Sequence, residues 1–323
     1  MTTFIIRRIF WTLLVMFVIT LTVFFIFFHT PGIDPVRQIA GRNPSAQAIA
    51  QIRHQFGLDR SLPVQYGLMM KKIFITRDLV SYSNQGQLVI PEIVAAMPAT
   101  LSLVFGAAVI WIVASILMGM AAAVARGTWL DPFLMVVALI GISMPVFWLG
   151  AVANLITQHA YHNSFIFSWV PPLGYTPLTQ DPVAWFEGLV IPWLVLATLY
   201  IGFYARVLRA SVIEIQSEDY VRTARAKGLT ERRVLYRHVL RTSLITFVSL
   251  FGLDFGVLVG GGALLVEVVF GIHGVGFLTW QSLTNLDLPV IMATVIYGAF
   301  FIVLANTLVD IAYAWLDPRV RPA

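Results

Sequence analysis

Six long runs of apolar residues constrain the fold of this sequence more than any other feature. The runs occupy residues 9–28, 99–125, 131–156, 189–204, 244–270 and 290–315. A helix that crosses the hydrocarbon core of a bilayer needs about 20 predominantly apolar residues. Only 11% of the residues are charged and 59% are hydrophobic, which is more apolar than a soluble domain of this size. The chain is therefore predicted to be an all-α polytopic membrane protein with six transmembrane helices.

The polar segments between the runs predict how the chain is organised. We expect an N-terminal tail and first helix in residues 1–30, a large extracytoplasmic loop with short helices in 31–97, and a five-helix core in 98–316. A basic loop at 206–243 interrupts this core, and residues 317–323 form a tail. The first apolar run is too long for the core of a signal peptide, so we expect it to be retained.

The basic residues predict the orientation of the chain. Nine of the 21 lysines and arginines lie in residues 206–241, whereas the predicted outer loop at 159–187 has none. Seven more lie in the first loop, which is long enough that its charges influence orientation weakly. Cytoplasmic loops of membrane proteins are enriched in basic residues. Both termini and the basic loop are therefore expected in the cytoplasm.

Several kinds of catalytic site are missing from the sequence. It contains no Gly-x-x-x-x-Gly-Lys-Ser/Thr phosphate loop, no His-Glu-x-x-His and no Gly-x-Ser-x-Gly, and it has no cysteine. His159 and His162 are the closest pair of histidines, and we favour interfacial polar residues over a metal site for them. We therefore expect no catalytic residue, no metal and no cofactor on this chain, and no ATP hydrolysis by it.

The basic loop predicts a helix, a glycine turn and a second helix. Ser217 or Asp219 can cap a short helix that ends at Lys227. Gly228 would supply the positive φ angle that terminates this helix. The second helix is expected to run directly into the fifth apolar run.

One face of the short helix carries an aromatic residue and two small residues. Tyr220, Ala224 and Gly228 recur at four-residue spacing and would share this face. Such a face allows another protein to approach the backbone closely. The alternative is a basic interfacial helix that lies on anionic lipid, which explains the arginines but not the helix, turn, helix pattern.

The string DYVRTARAKGL, from Asp219 to Leu229, resembles the cytoplasmic coupling segment of binding-protein-dependent ABC importer permeases. Their general pattern is Glu-Ala-Ala, three residues, then Gly. Here Arg222-Thr223-Ala224 and Gly228 occupy these positions, with the glutamate and the first alanine replaced. The whole string is similar to the version found in the dipeptide and oligopeptide (peptide/nickel) permease family, in its B-type subunit.

The resemblance extends over nearly the whole chain. Similar strings are Gly57-Leu58-Asp59, Pro98-Ala99-Thr100-Leu101, Ser143-Met144-Pro145-Val146-Phe147, Glu267-Val268-Val269-Phe270-Gly271 and Asp287-Leu288-Pro289. The sequence departs from the family at His273, where proline is common, and at Leu286, where arginine is usual. These departures concern the side of the protein that would meet the substrate.

The resemblance implies the type I ABC importer permease fold in a bacterial or archaeal cytoplasmic membrane. It implies a second homologous permease subunit, two cytoplasmic ATPase subunits that hold ATP and Mg, an extracytoplasmic solute-binding protein and a peptide substrate. Membrane lipid is a further expected partner, and nucleic acid is not. It also assigns ATPase coupling to Asp219, Tyr220, Arg222, Ala224, Lys227, Gly228 and Leu229. The resemblance leaves nickel, haem, glutathione and sugar open as alternative cargo.

Carboxylates inside apolar runs are costly to bury and are candidate functional groups. Asp254 and Glu267 are the candidates for the substrate pathway, and a peptide's ammonium group would be a natural partner for Asp254. The alternative for Asp254 is a carboxylate hydrogen-bonded within its own helix bundle. A structural or gating role suits Glu267 better than substrate contact.

Two other classes of function compete with the permease. An ion-coupled secondary transporter could use the same two carboxylates, but it would need inverted repeats, which the sequence does not show. A membrane-embedded enzyme would need a nucleophile or metal constellation. Prolines and glycines inside the runs, such as Pro145 and the stretch 252–262, would serve as flexing points or as sites of close helix packing.

Overall fold

The computed structural model describes residues 2–29, 45–56, 59–84 and 86–316, and the regular elements in these ranges are helices. They are α1 (Thr2–His29), α2 (Ala46–Phe56), α3 (Leu62–Phe74), α4 (Val89–Val124), α5 (Leu130–Ser143), α6 (Val146–Asn154), α7 (Pro182–Gln216), α8 (Asp219–Ala226), α9 (Glu231–Gly262), α10 (Leu264–Phe270), α11 (Val275–Thr284) and α12 (Leu288–Leu316). The predicted all-α membrane fold is confirmed. The predicted tail at 317–323 and Gly57-Leu58 lie outside the described residues.

Within the described ranges, five helices are long and apolar enough to cross a membrane, namely α1, α4, α7, α9 and α12. Two further pairs satisfy the same criterion only when their members are joined. The pair α5 and α6 is bent by 90°, and the pair α10 and α11 by 84°. By length and composition the described part of the chain thus holds five to seven spans, a range that includes the predicted six.

The third apolar run does not form the single helix predicted over 131–156. It breaks between α5 and α6, where Met144 has an extended backbone and Pro145 follows. Proline disfavours a helical conformation in the residue before it. The sharp bend therefore has a local cause in the sequence, and the helix resumes at Val146.

The fifth apolar run is predicted to form one helix over 244–270, but the structure divides it into two helices. Helix α9 starts at Glu231 and ends where Gly261 adopts a φ of 116°. Helix α10 then ends at Gly271, with a φ of 64°. Glycine adopts positive φ angles with little strain, so these two glycines turn the chain twice and separate α10 and α11 from α9.

Helices α4 and α7 are longer than predicted, and both contain a proline without breaking. Helix α4 includes Pro98, and α7 includes Pro192 and continues through residues 206–216, for which the sequence predicts a loop. Leu208 and Val212 are fully buried in this extension. Burial of this apolar stripe explains why the extension stays helical despite its arginines.

Glycines on one face of α9 pack closely against α12. Gly252, Gly256 and Gly260 are four residues apart, and a Cβ atom on Gly260 would lie 2.8 Å from the carbonyl oxygen of Gly298. A Cβ atom on Gly256 would collide with the Cβ atom of Ala305. Small residues at this spacing allow close approach of membrane helices. The packing interpretation of these glycines is therefore confirmed.

An apolar cluster, separate from the main core of the bundle, lies at the end where α4 and α12 begin. Val23 of α1, Ile73 of α3 and Val89 of α4 are buried there with residues of α11 and α12. The hydroxyl groups of Thr20 and Tyr66 are 2.8 Å apart and join α1 to α3. The predicted outer loop thus contains helices that pack onto the membrane bundle.

Candidate functional site

The basic segment folds into the helix, glycine turn and helix that the sequence predicts. Helix α8 is followed by Gly228 with a φ of 79°, and α9 begins at Glu231. The helix has no side-chain cap, so neither Ser217 nor Asp219 caps it as predicted. The residue at the capping position is Glu218. The hydroxyl of Ser217 instead donates to the carbonyl oxygen of Glu214, 2.6 Å away.

Two side chains of α8 connect it to both neighbouring helices. The Nε atom of Arg225 donates to Oε1 of Glu231 on α9 at 2.7 Å, and Nη1 donates to the carbonyl oxygen of Gln216 on α7 at 3.4 Å. The hydroxyl of Tyr220 lies 3.3 Å from Oγ1 of Thr242 on α9. A force applied to α8 would therefore reach α7 and α9 through direct contacts.

The exposed face of α8 differs from the predicted one at Ala224. This residue and Val221 are buried and join the main apolar core. Residues three apart share one side of a helix, and here that side packs onto the bundle rather than facing a partner. The prediction of an open small-residue face at Ala224 is therefore wrong.

Most of the other residues assigned to coupling are accessible. Tyr220 is half exposed, and Leu229 is partly buried against the core. The remaining ones are exposed, namely Asp219, Arg222, Lys227 and Gly228. Asp219 and Arg222 form an exposed ion pair of 3.6 Å one turn apart, which contributes little to stability. The accessible part of α8 is polar and of mixed charge.

A basic depression lies beside the turn between α8 and α9. It encloses about 610 Å³ and is lined by Thr230, Arg232, Arg233, Tyr236 and Arg237. None of the lining residues is acidic. Arginines bind phosphate and carboxylate groups in bidentate geometry. The depression therefore suits an anionic partner, either an acidic protein segment or a lipid headgroup.

An ion pair that no sequence pattern indicated joins α7 to α5. Nε of Arg209 donates to Oδ1 of Asp131 at 2.6 Å, and Nη2 donates to Oδ2 at 2.5 Å. Asp131 is buried. Asp131 lies in the first turn of α5, which begins at Leu130 without a side-chain cap. The only signal was that both charges flank apolar runs.

Asp254 lies within α9 among aromatic side chains. The hydroxyl of Tyr204 on α7 donates to Oδ2 of Asp254 at 2.6 Å. The Tyr204 ring is fully buried and packs on Phe247, with 4.8 Å between ring centroids. Asp254 itself is half-buried. It thus makes the intramolecular hydrogen bond of the structural interpretation and keeps part of its surface accessible, as cargo contact requires.

Glu267 is buried where α10 and α11 meet α4. It is fully buried, its Oε1 accepts from Oγ1 of Thr100 at 2.7 Å, and its Oε2 accepts from the amide of Phe277 at 2.8 Å. The amide of Val275 donates to Oγ1 of Thr100 at 2.8 Å. A carboxylate stabilises the positive end of a helix dipole. Glu267 therefore holds the start of α11 against α4, as the structural interpretation expects, and its assignment to the substrate pathway stays a prediction.

Asp287 holds the segment before α4 against the start of α12. Its carboxylate accepts from the Ser81 hydroxyl, from the amide of Tyr82 at 3.1 Å and from the amide of Ser83 at 3.2 Å. Burial, together with the nearby Asp287 carboxylate, raises the pKa of the Tyr82 hydroxyl above its usual range. Asp287 belongs to the family-like string Asp287-Leu288-Pro289, so the sequence marked the residue. Its contact with residues 81–83 could not be predicted from the sequence.

The described part of the chain contains no group of three or more histidine, aspartate or glutamate side chains that could hold a metal ion. The His162 ring lies 3.1 Å from the carbonyl oxygen of Thr157, which fits a local structural role.

Two family matches cover most of the chain. Residues 115–322 match the family described as binding-protein-dependent transport system inner membrane component, and residues 1–104 match the N-terminal part of the same transport-system membrane component. The chain therefore belongs to the inner-membrane components of binding-protein-dependent transport systems. This is a family of multi-pass transport permeases, and the resemblance found in the sequence is confirmed.

Individual relatives are similar over nearly their full length. The chain is 36% identical over 321 residues to a protein of Brucella abortus (strain 2308) whose name describes a peptide transport system permease, and the match covers 99% of each chain. It is 31% identical to the dipeptide transport system permease protein DppB of Alkalihalophilus pseudofirmus, covering 98% of each. It is 35% identical to the glutathione transport system permease protein GsiC of Salmonella paratyphi A, covering 92% of each.

Proposed function

We propose that this chain is one permease subunit of an ATP-driven peptide importer. It would form the translocation pathway with a second, homologous permease subunit. Two ATPase subunits that hold ATP and Mg would bind its cytoplasmic side, and a solute-binding protein would deliver the peptide from outside. The names of the peptide, dipeptide and glutathione relatives support this class of cargo. The ion-coupled transporter is not supported by them.

The connection of α8 to its neighbours is the observation that carries this proposal. Arg225 joins α8 to α7 and to α9, and Tyr220 makes a second contact with α9. We infer that closure of the ATPase pair pulls α8, which then moves the cytoplasmic ends of these two membrane helices. Alternating access needs such a stiff link between a remote site and the pathway.

The movement would spread through two further contacts. The Arg209–Asp131 ion pair joins α7 to α5. The glycines of α9 leave no space between its backbone and α12, so displacement of α9 would carry α12 with it. In this mechanism the bends at Pro145 and Gly261 separate the moving cytoplasmic half from α6 and α10.

Asp254 is proposed as a pathway residue that meets the peptide's ammonium group. Asp254→Asn would keep the shape and remove the charge, so uptake should fall while the complex stays assembled. Tyr204→Phe is the matched control, because it removes the hydroxyl that donates to Asp254 but leaves the charge. Normal uptake by Asp254→Asn would exclude the cargo role, and loss of assembly would favour the structural one.

The proposed function itself is tested by purification. The chain should copurify with a second permease and with ATPase subunits when expressed together with its neighbouring genes. Its solute-binding protein, loaded with peptide, should stimulate ATP hydrolysis by the complex in lipid vesicles. Uptake that depends on a proton gradient and not on ATP would contradict the proposal.

A further inference from the structure

A small cavity opens between the first turns of α4 and α11. It encloses about 280 Å³ and is lined by residues of both helices and of the turn before α11. Ala95 and Ala96 line it on α4, and Gln281 lines it on α11. Ligand pockets in proteins begin at about this size. The cavity is separate from Asp254 and from the basic depression beside α8.

Glu92 on α4 is the acidic residue in the lining of this cavity. The lining includes the imidazole of His273 but neither lysine nor arginine. Glu92 is half-buried, and the side chain of Gln87 is a hydrogen-bond partner for its carboxylate. A carboxylate in a partly buried cleft attracts cations more strongly than one in open solvent.

The lining of the cavity also includes two aromatic rings, those of His273 and Phe277. The centroids of these two rings are 4.6 Å apart. The faces of aromatic rings attract ammonium groups. A carboxylate and aromatic rings that line the same cavity are therefore a combination that recognises an organic cation.

Gly274, which also lines the cavity, packs against the buried carboxylate of Glu267. A Cβ atom on Gly274 would lie 2.5 Å from Oε1 of Glu267 and 2.5 Å from Oγ1 of Thr100. Only glycine fits here, and its backbone separates the cavity from Glu267. Because both Glu267 oxygens already accept hydrogen bonds, Glu92 is the carboxylate that remains for a ligand in this cavity.

We propose that this cavity binds a primary ammonium group, the free amino terminus of a peptide, with Glu92 as its counterion. The identity of the cargo rests on the proposed function, whereas the preference for an organic cation rests on the cavity. The cavity lies at the end of the bundle where the Ser81–Ser83 segment docks on Asp287, which is the predicted outer end. The peptide would meet Glu92 before it reaches Asp254.

The absence of cysteine from the sequence makes a direct test possible. Gln281→Cys would place a single thiol at the cavity of the assembled complex in membranes. The ratio of its modification rates by a positively and by a negatively charged methanethiosulfonate reagent should be about tenfold higher than the same ratio at Thr284→Cys, because the carboxylate concentrates cations. Adding Glu92→Gln should abolish this preference. Thr284→Cys, on the same helix but outside the cavity, is the control and should show no effect of Glu92→Gln.

Protection by ligands identifies the bound group. A dipeptide with a free amino terminus should slow the modification, and its N-acetylated form should not. A rate ratio at Gln281→Cys that equals the ratio at Thr284→Cys, or that Glu92→Gln does not change, would overturn the proposal. Protection by Zn²⁺ alone and by neither peptide would overturn it in favour of a metal at Glu92 and His273.

Measurements on the same complex distinguish a failure of this inference from a failure of the proposed function. If loaded binding protein stimulates ATP hydrolysis but the thiol shows no charge preference, the cavity proposal fails and the importer stands. If the charge preference and its loss in Glu92→Gln are found, yet no peptide protects the thiol or stimulates hydrolysis, the peptide importer fails. The cavity then binds a different organic amine, for which ethylamine protection is the readout.

Discussion

Arg209 on α7 and Asp131 on α5 form a bidentate ion pair, with Nε to Oδ1 at 2.6 Å and Nη2 to Oδ2 at 2.5 Å. Arg209 lies in the part of α7 that leads to α8. The pair therefore ties α5 to the same structural unit that carries the coupling segment. Its position predicts an effect on both stability and coupling.

Removal of one partner should be more harmful than removal of both. Arg209→Gln leaves a buried carboxylate without its counterion and should cost roughly 1 to 3 kcal/mol of stability. The double variant Arg209→Gln with Asp131→Asn should recover part of that loss, since no charge remains unpaired. Thermal unfolding of the purified complex measures both. A double variant less stable than either single one would contradict this account of the pair.

The orientation of the chain is a second prediction. Ser83, in the segment before α4, and Ser217, before α8, are both exposed. In intact cells an impermeant thiol reagent should label Ser83→Cys and not Ser217→Cys, because only the former faces outward. Permeabilised cells are the control and should give labelling of both. The opposite pattern in intact cells would reverse the proposed topology.

The sequence predicted the helices better than it predicted their interruptions. Hydrophobic runs identify membrane helices because the bilayer demands about 20 apolar residues. Whether a proline bends the helix depends on packing that no local pattern contains. Pro98 and Pro192 lie inside continuous helices, whereas the chain turns by 90° at Pro145.

In the candidate site, too, local features could be predicted from the sequence, whereas contacts between distant residues could not. The turn at Gly228 was predictable because the conformation of a glycine is local. The inward face of Ala224 was not, since it depends on the core that α8 meets. Glu267 and Thr100 are 167 residues apart in the sequence, and the role of each depends on the other. Such pairs become visible only in three dimensions.

The hydroxyl of Thr100 is predicted to be essential for the junction of α4, α10 and α11. It donates to Glu267 and accepts from the amide of Val275. Thr100→Val preserves the shape but leaves both partners buried with one hydrogen bond fewer, which should cost about 1 to 3 kcal/mol per unsatisfied group. The purified complex should unfold at a lower temperature, and Thr100→Ser should restore much of the loss.

A different result would change the role assigned to Glu267. If Thr100→Val is as stable as the parent protein but transports less, the hydroxyl serves transport rather than packing. Ser102→Ala is a suitable comparison, because Ser102 lies on the same helix and its hydroxyl is 3.1 Å from that of Tyr175. This change removes a partly buried hydrogen bond away from Glu267.

The coupling segment gives the sharpest prediction, at Gly228. Valine at this position would have to adopt a φ near 79°, which is strongly disfavoured for a β-branched residue. The strain should change the direction in which α8 is held relative to α9. ATP hydrolysis should then proceed without peptide uptake, or the ATPase subunits should be lost, although insertion into the membrane stays normal.

Gly127 provides the matched control for this change. It has a φ of 87° in the turn after α4, and a Cβ atom added to either Gly127 or Gly228 would have no neighbouring atom within 4 Å. Gly127→Val therefore imposes similar backbone strain away from the coupling segment, and it should leave uptake per hydrolysed ATP unchanged.

If α8 instead only rests on anionic lipid, Gly228→Val should behave like the Gly127→Val control. Replacing Arg232, Arg233 and Arg237 with glutamine should then lower peptide uptake more than Gly228→Val does. ATPase retention and peptide uptake at equal permease levels distinguish the two roles.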